Sequence, residues 1–108
     1  MRAGKGKRKD DRKFKRIRVR YGPEKPVHLA YAIQVSVSGA FLVANRPVFS
    51  PKSPLLVQFD TPDGVLTTRA IVRHVKNLPP QLARFSPSGM GVEFISPPPE
   101  LEKYLASL

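Results

Sequence analysis

The clearest pattern in the chain is a two-residue alternation that runs from Val27 to Ser38. Large apolar residues occupy the odd positions of this segment, and His28, alanines, Gln34 and serines occupy the even ones. A period of two is typical of a strand with one face in the core. The segment therefore predicts a half-buried strand in which Gln34 and Ser36 lie side by side on the face away from the core.

Other segments carry similar signals. Residues 17–21 alternate apolar residues with arginines and predict a strand with one basic face, ended by Gly22-Pro23. The Asp63-Gly64 step is typical of a hairpin turn between two strands. Further strands are predicted at residues 40–44, 55–59, 65–75 and 91–95. The segment 65–75 is long enough to contain a bulge.

The end of the chain has a helical period instead. Leu101, Tyr104, Leu105 and Leu108 form one apolar stripe, after a run of prolines and Glu100 that suits a first helical turn. A helix this short must dock on the rest of the domain to be stable. The sequence therefore predicts an all-β fold, a small six-stranded antiparallel β-barrel with a C-terminal α-helix.

Charge divides the chain into two parts. Residues 1–20 hold 11 Lys or Arg against 2 Asp, whereas residues 21–108 hold 8 against 6 acidic residues. We predict a basic flexible arm at residues 1–11, followed by one folded domain at residues 12–108. The arm would attract an anion such as a cyclic dinucleotide, a nucleic acid, an acidic lipid surface or an acidic protein. For residues 1–7, a solvated tail that only aids solubility is the alternative.

Several classes of protein are disfavoured by the composition. Cysteine is absent, which removes disulfides and thiolate metal sites. His28 and His74 are isolated and the acidic residues are scattered, so we expect neither a metal site, nor a cofactor, nor an enzyme. The absence of a leader-like segment and of a long apolar run predicts a cytoplasmic protein without membrane insertion.

Two short motifs carry binding chemistry. The first is Arg12-x-x-x-Arg16, and the second is Gln34-x-Ser36-x-x-Gly39. Arginine offers a planar fork for guanine or phosphate and a flat face for stacking. Serine supplies a small donor and acceptor, and glycine permits a tight turn or the close approach of a ligand.

Together the motifs resemble the paired signature of PilZ domains, RxxxR followed downstream by (D/N)xSxxG. Spacing alone does not select the first motif, because Arg8/Arg12 and Arg16/Arg20 share it; the register comes from the resemblance. The likeness continues in the apolar strand after Gly39 and in residues 89–94, Gly-Met-Gly-Val-Glu-Phe, and covers roughly residues 8–108. It implies a PilZ-like barrel and a receptor for the bacterial second messenger cyclic di-GMP.

The resemblance also implies the ligand contacts. Arg12 and Arg16 would bind guanine and phosphate, Ser36 would donate or accept a hydrogen bond at the ligand, and Gly39 would make room. Gln34 stands where the family has Asp or Asn, and would accept hydrogen bonds from guanine N–H groups. Because Gln is neutral and longer than Asn, we expect it to cost roughly 1–3 kcal/mol of binding free energy, or about ten- to a hundredfold in affinity.

Three functional hypotheses follow, in order of preference. The first is a single-domain PilZ protein that binds cyclic di-GMP and relays the signal by contact with a protein effector of unknown identity, in motility or exopolysaccharide control. The second is a degenerate PilZ adaptor that no longer binds the ligand and acts only through protein partners. The third is a nucleic-acid binder that uses the basic arm, which offers only Phe14 as a stacking platform before Tyr21.

Overall fold

Six strands wind around a shared apolar interior and close on themselves. The computed structural model describes residues 16–44, 48–77, 79, 81 and 88–108. The predicted arm at residues 1–11 lies outside the described residues. The strands and the terminal helix are β1 (Ile17–Gly22), β2 (His28–Ile33), β3 (Gly39–Val43), β4 (Pro54–Thr61), β5 (Gly64–Lys76), β6 (Gly89–Ile95) and α1 (Pro99–Ala106).

The strand order around the barrel is β1-β2-β3-β6-β5-β4, and β4 pairs with β1 to close it. Every neighbouring pair is antiparallel. The predicted all-β barrel with six antiparallel strands and a C-terminal helix is therefore confirmed. The pairing of β3 with β6 places the third predicted strand beside the last one, which matters for the site described below.

The core fills the barrel from all six strands. Tyr21 and Phe59 are its largest fully buried side chains, and Phe59 meets Phe94 edge-on with ring centroids 5.7 Å apart. Burial raises the pKa of the Tyr21 phenol above its ordinary value, because the phenolate would lose its solvation. Leu101 and Leu105 are also buried, so the predicted docking of the terminal helix is confirmed.

The prediction for the segment Val27 to Ser38 is wrong in its length and in its inward face. Strand β2 ends at Ile33, and its inward residues are Ala30 and Ala32. Leu29 and Tyr31, expected in the core, are 66% and 41% exposed. Alternation distinguishes two faces but does not say which one is buried. Here the alanines face inward because β1 places the larger Val19 and Ile17 opposite them.

Strand β5 contains a bulge, which the length of the predicted segment allows. Its register with β6 shifts between Val72, which pairs with Val92, and His74, which pairs with Gly91. Arg73 is the extra residue. An extra residue turns two successive side chains outward, and both Arg73 and His74 are exposed.

Two structural features are missing from the described part of the chain. None of its helices has the length and apolar character needed to cross a membrane. Nor do its histidines and acidic residues come together in a group of three that could hold a metal ion.

Candidate ligand cleft on the barrel surface

An open cleft of about 410 Å³ lies on the outer surface of the barrel, where the turn between β2 and β3 meets β5 and β6. Its volume falls in the range of small-molecule sites. The cleft is lined by Gln34, Ser38, Ala40, Phe41, Arg73, His74, Gly91, Val92 and Glu93. Of the predicted site residues that the structure describes, Gln34 alone is part of this lining.

The turn between β2 and β3 begins with an unusual backbone conformation at Gln34. Its φ angle is 50°, in the left-handed region that Asn, Asp and Gly adopt more readily than other residues. This residue breaks the two-residue alternation, so that Val35 and Ser36 are both buried. The family motif has Asp or Asn at this position. Either residue therefore suits the left-handed backbone, in addition to any contact that it makes with a ligand.

Ser36 lies inside the turn and not on the outer face, so the prediction that it lies outward beside Gln34 is wrong. Only 2% of Ser36 is exposed. Its backbone N–H donates to the Gly39 carbonyl at 2.9 Å, and its Oγ accepts from the Ser38 N–H at 3.2 Å. The Ser36 hydroxyl also lies 3.2 Å from the Ser38 hydroxyl. These bonds fix the turn that brings Gln34 and Ser38 to the cleft.

Gly39 lies where β3 meets β6. It pairs with Glu93, and the Ser38 carbonyl accepts from the Phe94 N–H at 2.8 Å. A Cβ added at Gly39 would overlap the backbone carbonyl oxygen of Val92. The glycine is thus required by close packing between two strands, whatever its role toward a ligand.

The floor of the cleft holds two rings. The Phe41 and His74 rings stack with centroids 6.3 Å apart and an interplanar angle of 25°. His74 lies directly over Gly91, where an added Cβ would overlap the imidazole ring. Gly91 is opposite both residues, since it pairs with Phe41 on β3 and with His74 on β5. Strand pairing therefore builds a stacking surface, half-buried at Phe41 and exposed at His74, from residues that are far apart in sequence.

A charged pair forms the neighbouring wall. The Arg73 Nε donates to Glu93 Oε1 at 2.6 Å, and the same carboxylate oxygen contacts a terminal guanidinium nitrogen. Both side chains are about half exposed, so the guanidinium keeps donor capacity toward solvent. The cleft thus combines an arginine–glutamate ion pair, an amide, a hydroxyl and stacked rings. This combination suits a flat polar ligand with an anionic group.

Only one of the two arginines of the first motif is among the described residues. Arg12 lies outside the described residues. Arg16 is exposed just before β1, and its guanidinium carbon lies 4.8 Å from the centroid of the Tyr31 ring. Arg16 is not part of the cleft lining. The structure therefore does not bring Arg16 and Gln34 together in one cleft.

Eight of the nine lining residues were not among those predicted, and four of them supply the rings and charges of the cleft: Phe41, Arg73, His74 and Glu93. Phe41 lies two residues after the end of the second motif, and the Gly-Met-Gly-Val-Glu-Phe segment places Glu93 on the last strand. The other two depend on the bulge in β5, which the length of the segment allows but does not locate. His74 looked isolated in sequence, because its neighbours Phe41 and Gly91 come from other strands.

Comparisons with known proteins agree with this architecture. A sequence model of the PilZ domain matches residues 6–108. The solved structure of the Bacillus subtilis inhibitor of motility, MotI/DgrA, superposes with a TM-score of 0.74 at 20% identity, covering 93% of this chain and 48% of that one. The chain thus spans about half the length of MotI/DgrA, and at this identity the likeness concerns the fold. No curated protein sequence matches. Because the family match includes both motifs and the whole barrel, the chain belongs to the PilZ domain family.

Proposed function

We propose that this PilZ domain is a receptor for cyclic di-GMP and that the ligand binds in the outer-surface cleft. PilZ domains act as receptors or as adaptors, and a receptor differs from an adaptor in that it binds a ligand. The observation that carries the proposal is the position of Gln34. The residue at the Asp/Asn position of the family motif lines a cleft that also contains a stacking surface and a guanidinium group.

The cleft residues have complementary roles toward such a ligand. The Phe41 and His74 rings offer a stacking surface for a guanine base. The Gln34 amide oxygen would accept from guanine N–H groups, and the Arg73 guanidinium would donate to a phosphate or to the guanine edge. Arg12 and Arg16 would approach from the N-terminal side and complete the cationic surroundings of the two phosphates.

Ser36 and Gly39 would act indirectly, by shaping the turn and the strand pairing beside the ligand. Ser36 holds the turn through the Ser38 N–H and the Gly39 carbonyl, and Gly39 lets β3 approach β6. Substitution of either residue would therefore displace Gln34 and Ser38. Serine and glycine at these positions would thus support ligand binding without a direct contact between Ser36 and the ligand.

The response to the ligand would be relayed by contact with a protein effector. The structural neighbour of this chain, MotI/DgrA, is described as an inhibitor of motility. This favours motility as the process under control, with exopolysaccharide output as the alternative. The adaptor hypothesis, in which the domain works without a ligand, rests on the replacement of Asp or Asn by Gln34. One titration distinguishes these hypotheses.

The test is isothermal titration calorimetry with cyclic di-GMP on the full chain. We expect binding by the wild type and at least a tenfold loss in Arg73→Ala, because the lost guanidinium would leave a phosphate or guanine edge unpaired. Arg69→Ala is the matched control, since it removes an exposed arginine of the same strand outside the cleft. Equal affinities in all three proteins would contradict binding in this cleft. No heat from the wild type at millimolar ligand would favour the adaptor.

A further inference from the structure

The described chain has four exposed large apolar residues, and three of them lie together. Val27, Leu29 and Tyr31 are 61%, 66% and 41% exposed, whereas the fourth, Val65, lies at the start of β5. Leu29 and Tyr31 are alternate residues of β2 and share its outer side, and Val27 precedes them. Single exposed apolar residues are ordinary, but a contiguous row on one side of a barrel is typical of an interaction surface.

A row of arginines runs beside this apolar row. Arg18 pairs with Tyr31 and Arg20 pairs with Leu29, and both arginines are exposed. Side chains directly opposite on antiparallel strands lie about 5 Å apart, so each cation adjoins an apolar group. We call the surface formed by Arg18, Arg20, Val27, Leu29 and Tyr31 the β1–β2 face. A groove beside it continues to Val43 on β3.

The charges of the β1–β2 face are not neutralised from within the described chain. The ion pair among described side chains joins Arg73 to Glu93, on the other strands, and neither Arg18 nor Arg20 takes part in one. Two uncompensated guanidinium groups beside an apolar row favour a partner that carries carboxylates next to apolar side chains.

We infer that the β1–β2 face docks an acidic amphipathic helix of a partner protein. The dimensions agree with this occupant. Leu29 and Tyr31 are two residues apart on a strand, or roughly 6.6 Å. Side chains four residues apart on an α-helix are separated by roughly 6 Å along its axis. Successive apolar residues of a helix can therefore contact successive residues of the apolar row, while its acidic residues on one flank face Arg18 and Arg20.

Other occupants fit the same face less well. In a symmetric dimer through this face, Arg18 and Arg20 of one copy would approach those of the other copy, and like charges would oppose the contact. A nucleic acid would use the arginines but not Val27 or Leu29, which offer neither hydrogen bonds nor an aromatic surface. The inference goes beyond the proposed function, because these residues do not line the cleft.

The experiment selects partners from a phage-displayed library of random 16-residue peptides on the immobilised full chain, without nucleotide. We expect the selected peptides to combine Asp or Glu with apolar residues at helical spacing. Their affinity, measured by fluorescence anisotropy, should fall at least tenfold in Leu29→Ser and in Arg20→Glu. Val65→Ser is the matched control, because it removes an equally exposed apolar residue elsewhere, and it should leave the affinity unchanged.

Two variants are used because Leu29→Ser removes the apolar contact and Arg20→Glu reverses the charge. Equal binding to the wild type, Leu29→Ser and Arg20→Glu would overturn the inference, since acidic peptides would then be held by other basic residues such as the N-terminal segment. Selection of peptides without acidic residues would overturn it as well. So would Leu29-dependent binding to phosphatidylglycerol vesicles in place of peptides, or a Leu29-dependent dimer in sedimentation. Because no nucleotide is present, a failure of cyclic di-GMP binding would not affect this result.

Discussion

The guanidinium group of Arg16 lies over the ring of Tyr31, with the guanidinium carbon 4.8 Å from the ring centroid. Arg16 belongs to the arginine motif that we propose binds cyclic di-GMP, and Tyr31 belongs to the β1–β2 face. Because Arg16 does not line the cleft, ligand binding as proposed requires this side chain to leave the tyrosine. Occupation of the cleft would then change the surface offered to a protein partner, which gives the two proposed sites a direct physical connection.

Substitution of Arg16 by alanine should separate ligand binding from stability. We expect Arg16→Ala to weaken cyclic di-GMP binding at least tenfold in calorimetry, because a charge-assisted contact to the ligand is lost. The free energy of unfolding should fall by no more than about 1 kcal/mol, the value of an exposed cation–π contact. Arg69→Ala serves again as the control, and an Arg16→Ala protein with wild-type affinity would remove Arg16 from the site.

Substitutions of Gln34 should distinguish a backbone effect from a charge effect. Asn and Asp both tolerate the left-handed conformation at this position better than Gln, so both should raise thermal stability slightly. Only Gln34→Asp adds a carboxylate, and it should tighten cyclic di-GMP binding about ten- to a hundredfold through charge-assisted bonds. Equal tightening by Gln34→Asn would attribute the effect to the turn conformation and not to charge.

The two glycines that face neighbouring strands should respond differently to alanine. Gly39→Ala places a Cβ against the backbone of Val92, which cannot move independently of β6, so it should destabilise the fold by about 1–3 kcal/mol in urea unfolding. In Gly91→Ala the atoms nearest to the added Cβ belong to the exposed His74 ring, which can rotate away. It should cost less stability but weaken ligand binding by disturbing the stacking with Phe41. A larger loss of stability in Gly91→Ala than in Gly39→Ala would contradict this assignment.

The docked helix should contribute to stability through its buried stripe. Leu105→Ala should lower the free energy of unfolding by about 2–4 kcal/mol, because it leaves a cavity at a fully buried position. Leu29→Ala is a matched control, since the same chemical change at an exposed site should cost little. Similar losses in urea unfolding for the two variants would show that α1 is not held by this residue.

Alkaline unfolding should report on Tyr21. Burial raises the pKa of this phenol in the folded protein above the value of 10.0 in the unfolded chain. As the pH rises above about 10, the unfolded state therefore loses its proton first, and the free energy of unfolding decreases. Tyr21→Phe should make this decrease shallower in thermal melts followed between pH 8 and 11. An unchanged slope would show that the Tyr21 phenol is not responsible.

The sequence predicts the barrel better than the site, for physical reasons that particular residues make clear. The strands around Val19, Val57 and Val92 follow from local alternation, and the helix follows from the spacing of Leu101 and Leu105. Alternation could not show that Ala32 and not Tyr31 faces inward, because alanine suits either side of a sheet. That choice depends on the residues that other strands bring into the barrel.

The site depends on conformations and pairings that a single sequence does not encode locally. The left-handed backbone at Gln34 turns Ser36 inward, and no residue pattern before it signals the change. The stacking of Phe41 on His74 requires both the pairing of β3 with β6 and the bulge that moves His74 one position along β5. The sequence shows that Gln34 replaces the Asp or Asn of the family motif. It does not show that this position has a left-handed backbone, which Asp and Asn adopt more readily.

Closure of the barrel restricts how this protein can recognise anything. Each of the described strands pairs with a neighbour on both sides over at least part of its length, so the described sheet has no edge strand beside which a partner could add another. Recognition through the barrel wall must therefore use outward side chains, which contribute little to folding. Such a surface can acquire a new partner through a few substitutions while the interior stays the same. The fold separates the residues that specify its structure from those that specify its signalling connections.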